Sequence, residues 1–192
     1  MPERSADLLQ RARGGSAEAL NELYDRCAAR LLGYIRLRLG RDLRARLESR
    51  DILQAAMLKS VEHLREFKGG GTRSFLAWLA RIAEHEIRDC ADRQHRQKRD
   101  AAREAPLDDQ APVPAITRSA LSRVILDEEA RRLEEALESL PPEHRDVILM
   151  RKFEELSFAE IGRRMGRSDD ACRMLLVRAM TALTMKLSEI ER

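Results

Sequence analysis

The sequence predicts an all-α protein made of two small helical domains joined by a flexible linker, the C-terminal domain being a helix-turn-helix. Apolar residues recur at helical spacings of three and four along most of the chain, and we find no strand pattern. Aromatic residues are only 4% and charged residues 36% of the chain, which is typical of helices with charged surfaces. Three prolines in one short segment interrupt the apolar pattern.

The N-terminal domain is predicted over residues 1–103. Its first helices carry an apolar series at helical spacing: Leu8, Leu9, Ala19, Leu20, Leu23, Tyr24, Cys27, Leu31, Leu32 and Ile35. A further helical segment runs from about Leu43 to Phe67 and ends at three consecutive glycines, Gly69 to Gly71. Ser74 is a candidate cap for the next helix, which carries Trp78 on an apolar face. We therefore expect Trp78 to belong to the core rather than to stack on a ligand.

The linker is predicted over residues 104–122, and its first part, residues 104–117, contains Pro106, Pro112 and Pro114 without an apolar period. The C-terminal domain is predicted over residues 123–192. Pro141 and Pro142 suit the start of a helix that continues through Val147 and Ile148.

The helix-turn-helix is indicated by two caps separated by a short turn. Ser157 and Glu160 fit a capping box, so a helix should begin at about Ala159. Gly166 can adopt the left-handed conformation that ends such a helix, and Ser168 is the candidate cap of the next one. A turn of this kind presents its second helix to the major groove of DNA.

The second helix has a predicted buried stripe and a predicted outer face. The stripe runs through residues at steps of three and four: Cys172, Leu176, Ala179, Leu183 and Leu187. Residues off the stripe can face a DNA groove: Arg173, Met174, Val177 and Arg178. The alternative is an ordinary three-helix bundle without a ligand.

Composition and motifs exclude several classes of protein. The 192 residues have a formal net charge of +3 and an isoelectric point near 9.0, and such a chain can bind nucleic acid where its basic residues cluster. Cys27, Cys90 and Cys172 are odd in number, widely spaced and without a C-x-x-C pair, so neither a disulfide framework nor a zinc site is indicated. No signal peptide or membrane-length apolar run is present, which favours a cytoplasmic location without membrane insertion. The four histidines are scattered and the glycines lack a phosphate-loop motif, so we expect no enzyme activity, no metal and no cofactor.

The helix that carries Trp78 ends in the basic segment RDCADRQHRQKRD. One interpretation is a solvated helix end. The other is a surface that contacts phosphates, where each cation adds affinity that depends on salt but not on base sequence. Two basic elements joined by a tether could hold two separated DNA sites with a gain from effective concentration.

Together these residues resemble a bacterial RNA polymerase sigma factor of the sigma-70 class and the extracytoplasmic-function type. The resemblance is carried by three motifs in order along the chain: Asp51-Ile52-Leu53-Gln54, the series Trp78, Arg81-Ile82-Ala83, Asp89 and Arg93, and the helix-turn-helix with Leu140-Pro141, Arg145, Glu160-Ile161, Gly166, Ser168, Arg178-Ala179 and Leu183. It implies that the first domain binds the polymerase clamp and the −10 promoter element, and that the second binds the −35 element. It also implies that the loop Lys68–Ser74 captures an unstacked −10 base, and that the linker, with its acidic pair Asp108-Asp109, threads near the RNA exit path.

The resemblance, together with the outer face described above, identifies candidate site residues. For the −35 element they are Ser168, Asp169, Asp170, Arg173, Met174, Val177 and Arg178. For the −10 region they are Lys68, Thr72, Arg73, His85, Arg88, Arg93 and Arg96. For the polymerase they are Asp51, Ile52, Gln54, Met57 and Leu58. The expected partners are the clamp and flap regions of core RNA polymerase, promoter DNA and an anti-sigma factor.

Several positions depart from the pattern of the family. Ala55 stands where the family usually has Glu, Arg50 where an acid is frequent, and His85 where Asn often follows the Arg-Ile-Ala motif. In the recognition helix, Met174 and Leu175 cannot donate hydrogen bonds to bases, although they could touch thymine methyl groups. The promoter sequence is therefore not transferable from the family.

Two alternatives to a sigma factor have testable consequences. A stand-alone helix-turn-helix regulator, whose N-terminal domain dimerises or senses a ligand, would bind two-fold symmetric sites without polymerase. A protein-interaction module would bind polymerase without promoter specificity.

Overall fold

The structure is a computed structural model that describes residues 5–44, 47–100 and 128–190. All regular secondary structure in these ranges is helical, which confirms the predicted all-α class. The helices are α1 Ser5–Arg13, α2 Ala17–Arg44, α3 Ser49–His63, α4 Thr72–Asp100, α5 Glu128–Glu138, α6 Pro142–Ile148, α7 Phe158–Met165 and α8 Asp169–Ile190. A 3-10 turn spans Leu64–Glu66 and a π-helical turn spans Leu149–Phe153. The predicted linker, with Asp108 and Asp109, lies outside the described residues.

The N-terminal half packs α1, α3 and α4 against the long helix α2. Its core contains large side chains with no exposed surface, among them Leu23, Tyr24, Met57 and Leu79. The Tyr24 hydroxyl donates to the Met57 carbonyl at 3.1 Å and lies 2.6 Å from Ser60 Oγ, so α2 and α3 are joined by a buried polar contact. Burial raises the pKa of Tyr24 to about 12, and the phenol therefore stays neutral and can donate.

An aromatic cluster closes the end of this core beside the triple glycine. The ring of Trp78 lies 5.0 Å from that of Phe67 and 5.7 Å from that of Phe75, between ring centroids. Trp78 is partly buried against the core. The expectation that it packs in the core is confirmed.

The C-terminal half packs α8 against α5, α6 and α7. Cys172, Ala179 and Leu183 are buried as the stripe predicts, but Leu176 and Leu187 are only partly buried. Leu175 is buried at 6% exposure, so the suggestion that it touches thymine methyl groups is wrong. Because three helices cover α8, its buried face is wider than a single line of residues and includes position 175.

The two halves contact each other mainly through α2 and α5, and also where the π-helical turn meets α4. Glu154, at 1% exposure, accepts from the Tyr34 hydroxyl at 3.1 Å and forms ion pairs with Arg38 of the N-terminal half and with Arg164 of its own half. The ring centroids of Tyr34 and Phe153 lie 5.7 Å apart. Burial raises the pKa of Tyr34 well above its usual value, so this phenol also acts as a neutral donor.

At the rim of the same contact, Arg36 pairs with Glu134 of α5 at 3.0 Å. Arg44 pairs with Glu134 and Glu138 of the same helix. The contact between the halves therefore has an apolar and buried polar centre and an ionic edge.

Within the described ranges, no helix is both long enough and apolar enough to cross a membrane.

Candidate nucleic-acid and polymerase interfaces

The turn between α7 and α8 is built by the two predicted caps. Glu160 N donates to Ser157 Oγ at 3.3 Å, and Ser157 N donates to Glu160 Oε2 at 2.8 Å, so the capping box is complete. Gly166 has φ 65, the left-handed conformation expected of it. Ala171 N donates to Ser168 Oγ at 3.2 Å, which confirms the cap of α8. These caps set the angle at which α8 leaves the turn.

Gly162 is a determinant of the turn that the sequence pattern did not reveal. A Cβ atom at this position would lie 2.6 Å from the Arg167 carbonyl oxygen, which is too close for any side chain. Arg167 N in turn donates to the Gly162 carbonyl at 3.0 Å, so the chain folds directly back onto α7. The sequence did contain an indication of this contact, because a glycine inside a helical pattern often marks a place where another backbone segment comes close.

The outer face of α8 is exposed. Met174 and Val177 have exposures of 54% and 58%, and Arg173 and Arg178 are exposed beside them. Ser168, Asp169 and Asp170 are exposed in the first turn of the helix. The structure thus brings all seven predicted −35 residues to one end and one side of α8, where they form a surface with both cations and apolar groups.

Phe158 orients Arg173, one of the two arginines of this face. The Arg173 guanidinium lies 4.5 Å from the centroid of the Phe158 ring, and the Arg151 guanidinium lies 4.9 Å from the same centroid. Asp170 Oδ1 lies 3.7 Å from Arg173 Nε. Stacking on an aromatic ring restricts the rotamers of an arginine, so Arg173 is partly ordered before any ligand binds.

The predicted −10 residues form two groups on the N-terminal half. Lys68 and Arg73 are exposed on either side of the glycines, and Arg73 Nε lies 2.9 Å from Glu155 Oε1 of the C-terminal half. Thr72 is less suitable than expected because its Oγ1 is buried. The second group, with His85 and Arg88, begins about 20 Å farther along α4, given the rise of 1.5 Å per residue.

The second group lies on an exposed side of α4. His85 is exposed, Arg88 pairs with Glu84 at 3.0 Å, and Arg93 donates to the Asp89 carbonyl at 3.2 Å. Arg81 is also exposed, one turn before His85, and it extends this group at helical spacing although it is not among the predicted −10 residues. The side chain of Arg96 lies outside the described residues.

The candidate polymerase-binding residues divide between the core and the surface of α3. Ile52 and Met57 have exposures of 3% and 0%, so the assignment of these two as direct contacts disagrees with the structure. Both anchor α3 to α2 and α4, because the apolar face of a surface helix points inward. Asp51 is exposed, and Gln54 and Leu58 are half-buried. Val61 is 42% exposed one turn after Leu58 and adds an apolar group that the sequence pattern did not reveal.

Comparisons with known families agree with the arrangement of the two halves along the chain. The family described as Sigma-70 region 2 matches residues 23–99, and the family described as Sigma-70, region 4 matches residues 130–183.

Curated relatives match over nearly the whole chain. The RNA polymerase sigma factor CarQ of Myxococcus xanthus is 32% identical over 183 residues, which cover 95% of this chain and 97% of CarQ. The ECF RNA polymerase sigma factor BldN of Streptomyces coelicolor is 26% identical over 189 residues, covering 98% of this chain and 68% of BldN. The solved RsbN-BldN complex contains a chain that is 24% identical, with a TM-score of 0.35, covering 92% of this chain and 97% of that one.

Proposed function

The chain belongs to the sigma-70 family of RNA polymerase sigma factors, and from that premise we propose that its two halves bind different parts of the promoter and of the polymerase. As a sigma factor of the extracytoplasmic-function type, it binds core RNA polymerase and directs it to specific promoters. Family membership therefore favours this function over a stand-alone regulator or an interaction module. In this division, residues 1–103 bind the clamp and the −10 element, residues 104–122 form the linker, and residues 123–192 bind the −35 element.

In the proposal, the outer face of α8 enters the major groove at the −35 element. This placement of α8 in the groove is supported by four exposed side chains on its outer face, which the capped turn before the helix holds in place: Arg173, Met174, Val177 and Arg178. Arginine can bond guanine bidentately or pair with phosphate, and the two apolar side chains suit thymine methyl groups. Asp169 and Asp170 lie in the first turn of the helix, where they compensate the helix dipole and can accept from cytosine.

The N-terminal half is proposed to open and hold the −10 region. The loop Lys68–Ser74 would capture an unstacked base, and the exposed cations of α4 would contact the neighbouring phosphates. Extruding a base costs on the order of a few kcal/mol, which binding in a pocket has to offset. Trp78 is packed against Phe67 and Phe75, so capture by the loop is favoured over stacking on a broad aromatic platform.

The exposed side of α3 is proposed to dock on the polymerase clamp. Asp51 supplies a charge, and Gln54, Leu58 and Val61 form an adjoining surface that is partly apolar. Ile52 and Met57 support this surface from the core. Because Ala55 removes one acidic group usual in the family, apolar contact would contribute more here than charge.

We also propose a regulatory protein partner of the anti-sigma type, contact of the C-terminal half with the polymerase flap, and a cytoplasmic location. The support for a protein partner is that the relative BldN has been solved in a complex with RsbN. A copurifying protein that abolishes transcription when it is added back to the purified holoenzyme would establish such a partner. A copurifying protein without that effect would argue against it.

The central experiment is transcription in vitro by core polymerase with this protein on a library of genomic fragments. New start sites that depend on the protein are expected. The double variant Arg173→Ala/Arg178→Ala should lose −35-dependent initiation while it still binds core polymerase. If both arginines contact phosphates, the plot of log affinity against log salt should lose about two units of slope.

A matched control removes two exposed arginines from α5 of the same half, Arg131→Ala/Arg132→Ala, and should initiate as the wild type does. Loss of core binding in the Arg173/Arg178 variant would mean that this helix has a different function from the one proposed.

A further inference from the structure

Arg13, the last residue of α1, reaches across the N-terminal half to the loop before α4. Its Nη2 donates to the Phe67 carbonyl and, at 3.1 Å, to the Gly69 carbonyl. Its guanidinium carbon lies 5.3 Å from the centroid of the Phe67 ring. We propose that Arg13 is a positioning residue that holds this loop in the conformation that selects the −10 base, a role that rests on the proposed function of the loop.

The loop needs a contact from outside its own sequence because its glycine-rich backbone can adopt many conformations. Gly69, Gly70 and Gly71 follow one another, and glycine loses more conformational entropy on ordering than any other residue. At the far end of the glycines, Ser74 Oγ donates to the Gly71 carbonyl at 3.1 Å. Arg13 supplies the corresponding contact at the near end, and a charged donor forms a stronger hydrogen bond than a neutral one.

The loop is also tightly fitted where Arg13 holds it. A Cβ atom on Gly69 would lie 2.2 Å from Phe67 Cζ and 2.9 Å from Ser74 Cβ, so the backbone at this point lies directly against both side chains. The Phe67 ring is in turn packed against Trp78. Arg13 therefore fixes Phe67 and Gly69 relative to each other and to the start of α4.

Arg13 lies on a helix that is firmly packed against the rest of the N-terminal half. Leu8, Leu9 and Ala12 are buried, and α1 packs against α2 and α4. The two carbonyls are 54 and 56 residues away from Arg13 along the chain, so α1 adds a distant contact to the local contacts that Phe67 and Ser74 make with the glycines. A displaced loop would still be attached to the polymerase-bound domain, but it would discriminate poorly between bases.

The test uses holoenzyme assembled from core polymerase and the full chain. The probe is a pool of fork-junction DNA in which the single-stranded non-template −10 segment is random. Sequencing the bound and free fractions gives the base preference at each position. Arg13→Ala should lower affinity for the sequences that the wild type selects by about tenfold and should flatten the preference at one position. Arg13→Lys, which keeps the charge but not the fork of donors, should recover part of the preference.

A second variant separates positioning from a general loss of structure. A Cβ atom added to Gly70 would meet no other atom within 4 Å, so Gly70→Ala can restrict the loop without a clash. Combined with Arg13→Ala, it should restore part of the base preference that Arg13→Ala loses. Gln10→Ala, an exposed change on the same helix, should leave the preference as in the wild type.

The outcomes distinguish this inference from the function on which it rests. A wild-type holoenzyme without any base preference on the pool would overturn the proposed role of the loop. A wild-type preference that Arg13→Ala leaves intact would overturn only the role of Arg13. If the slope of log affinity against log salt fell by about one unit in Arg13→Ala, Arg13 would contact a phosphate directly. That result would also overturn the positioning role.

Discussion

The two candidate DNA surfaces of this sigma factor are positioned by contacts of very different range. The recognition face of α8 depends on residues close in sequence: the Ser157 capping box, the contact of Gly162 with Arg167, and the stacking of Arg173 on Phe158. The −10 surface depends on distant residues, with Arg13 bound to the Phe67–Gly69 segment and Arg73 paired with Glu155 of the other half. The proposed −35 surface is therefore set by local structure, and the proposed −10 surface by contacts between residues far apart in sequence.

At the contact between the halves, a single residue has partners in both of them. Glu154 lies there with Tyr34, Arg38 and Arg164 around it. Substitutions at this contact should affect both halves, whereas substitutions in the turn should affect one. The single tryptophan, Trp78, lies in the N-terminal half, so its fluorescence reports on that half while circular dichroism at 222 nm reports on all helices.

The largest effect is expected for Glu154→Ala. The substitution removes the carboxylate that joins Tyr34, Arg38 and Arg164. Arg38 keeps ion pairs with Glu84 and Asp146, so the cost should be about 3 kcal/mol, the lower end of the range for breaking a buried ion pair. Urea unfolding should show both the Trp78 fluorescence transition and the circular dichroism transition at lower urea. Glu62→Ala, an exposed change on α3, serves as the control. A Trp78 transition that stays at the wild-type midpoint would mean that the two halves are not energetically coupled through Glu154.

A smaller and more local effect is expected for Gly162→Ala. The added methyl group would meet the Arg167 carbonyl, and overpacking of this kind costs about 1–3 kcal/mol. The circular dichroism transition should shift to lower urea while the Trp78 transition stays in place. The control is Arg163→Ala, an exposed change on the same helix, which should leave both transitions in place. Equal shifts in both signals would contradict the local character of the turn.

Ser157→Ala should cost about 1 kcal/mol, the usual value of a lost N-cap. The reason is that Glu160 N loses its acceptor at the start of α7. The free energy of unfolding from urea titration measures the loss, and Ser188→Ala, an exposed serine inside α8, should change it little. A Ser157→Ala protein as stable as the wild type would show that α7 is held by packing alone.

The smallest effect concerns the pH dependence of the same capping box. Hydrogen bonds from the Ser157 side chain and backbone lower the pKa of Glu160. A lowered pKa in the folded state stabilises the fold above the unfolded pKa of about 4.3, and this contribution is lost as pH falls through the folded value. The stability difference between wild type and Glu160→Gln should therefore be constant near neutral pH and shrink below about pH 4. A difference that persists unchanged at pH 3 would exclude the carboxylate as its source.

Local patterns alone predicted the all-α class and the details of the helix-turn-helix. Ser157, Gly166 and Ser168 have the roles that their residue types suggest, because caps and left-handed glycines are specified within a few residues. The outer face of α8 also followed from periodicity. The buried face of α8 was predicted less accurately, because three helices cover it and bury Leu175, which the apolar period had left off the stripe.

Only the tertiary structure decided how distant residues combine. It placed Ile52 and Met57 in the core and left Asp51 and Val61 on the surface, and it buried the hydroxyl of Thr72. It also brought Arg13 to the glycine loop and Glu154 to Arg38. Nothing in the residues around Arg13 or Glu154 indicates these partners, since a hydrogen bond between positions more than fifty residues apart depends on the packing of every helix between them.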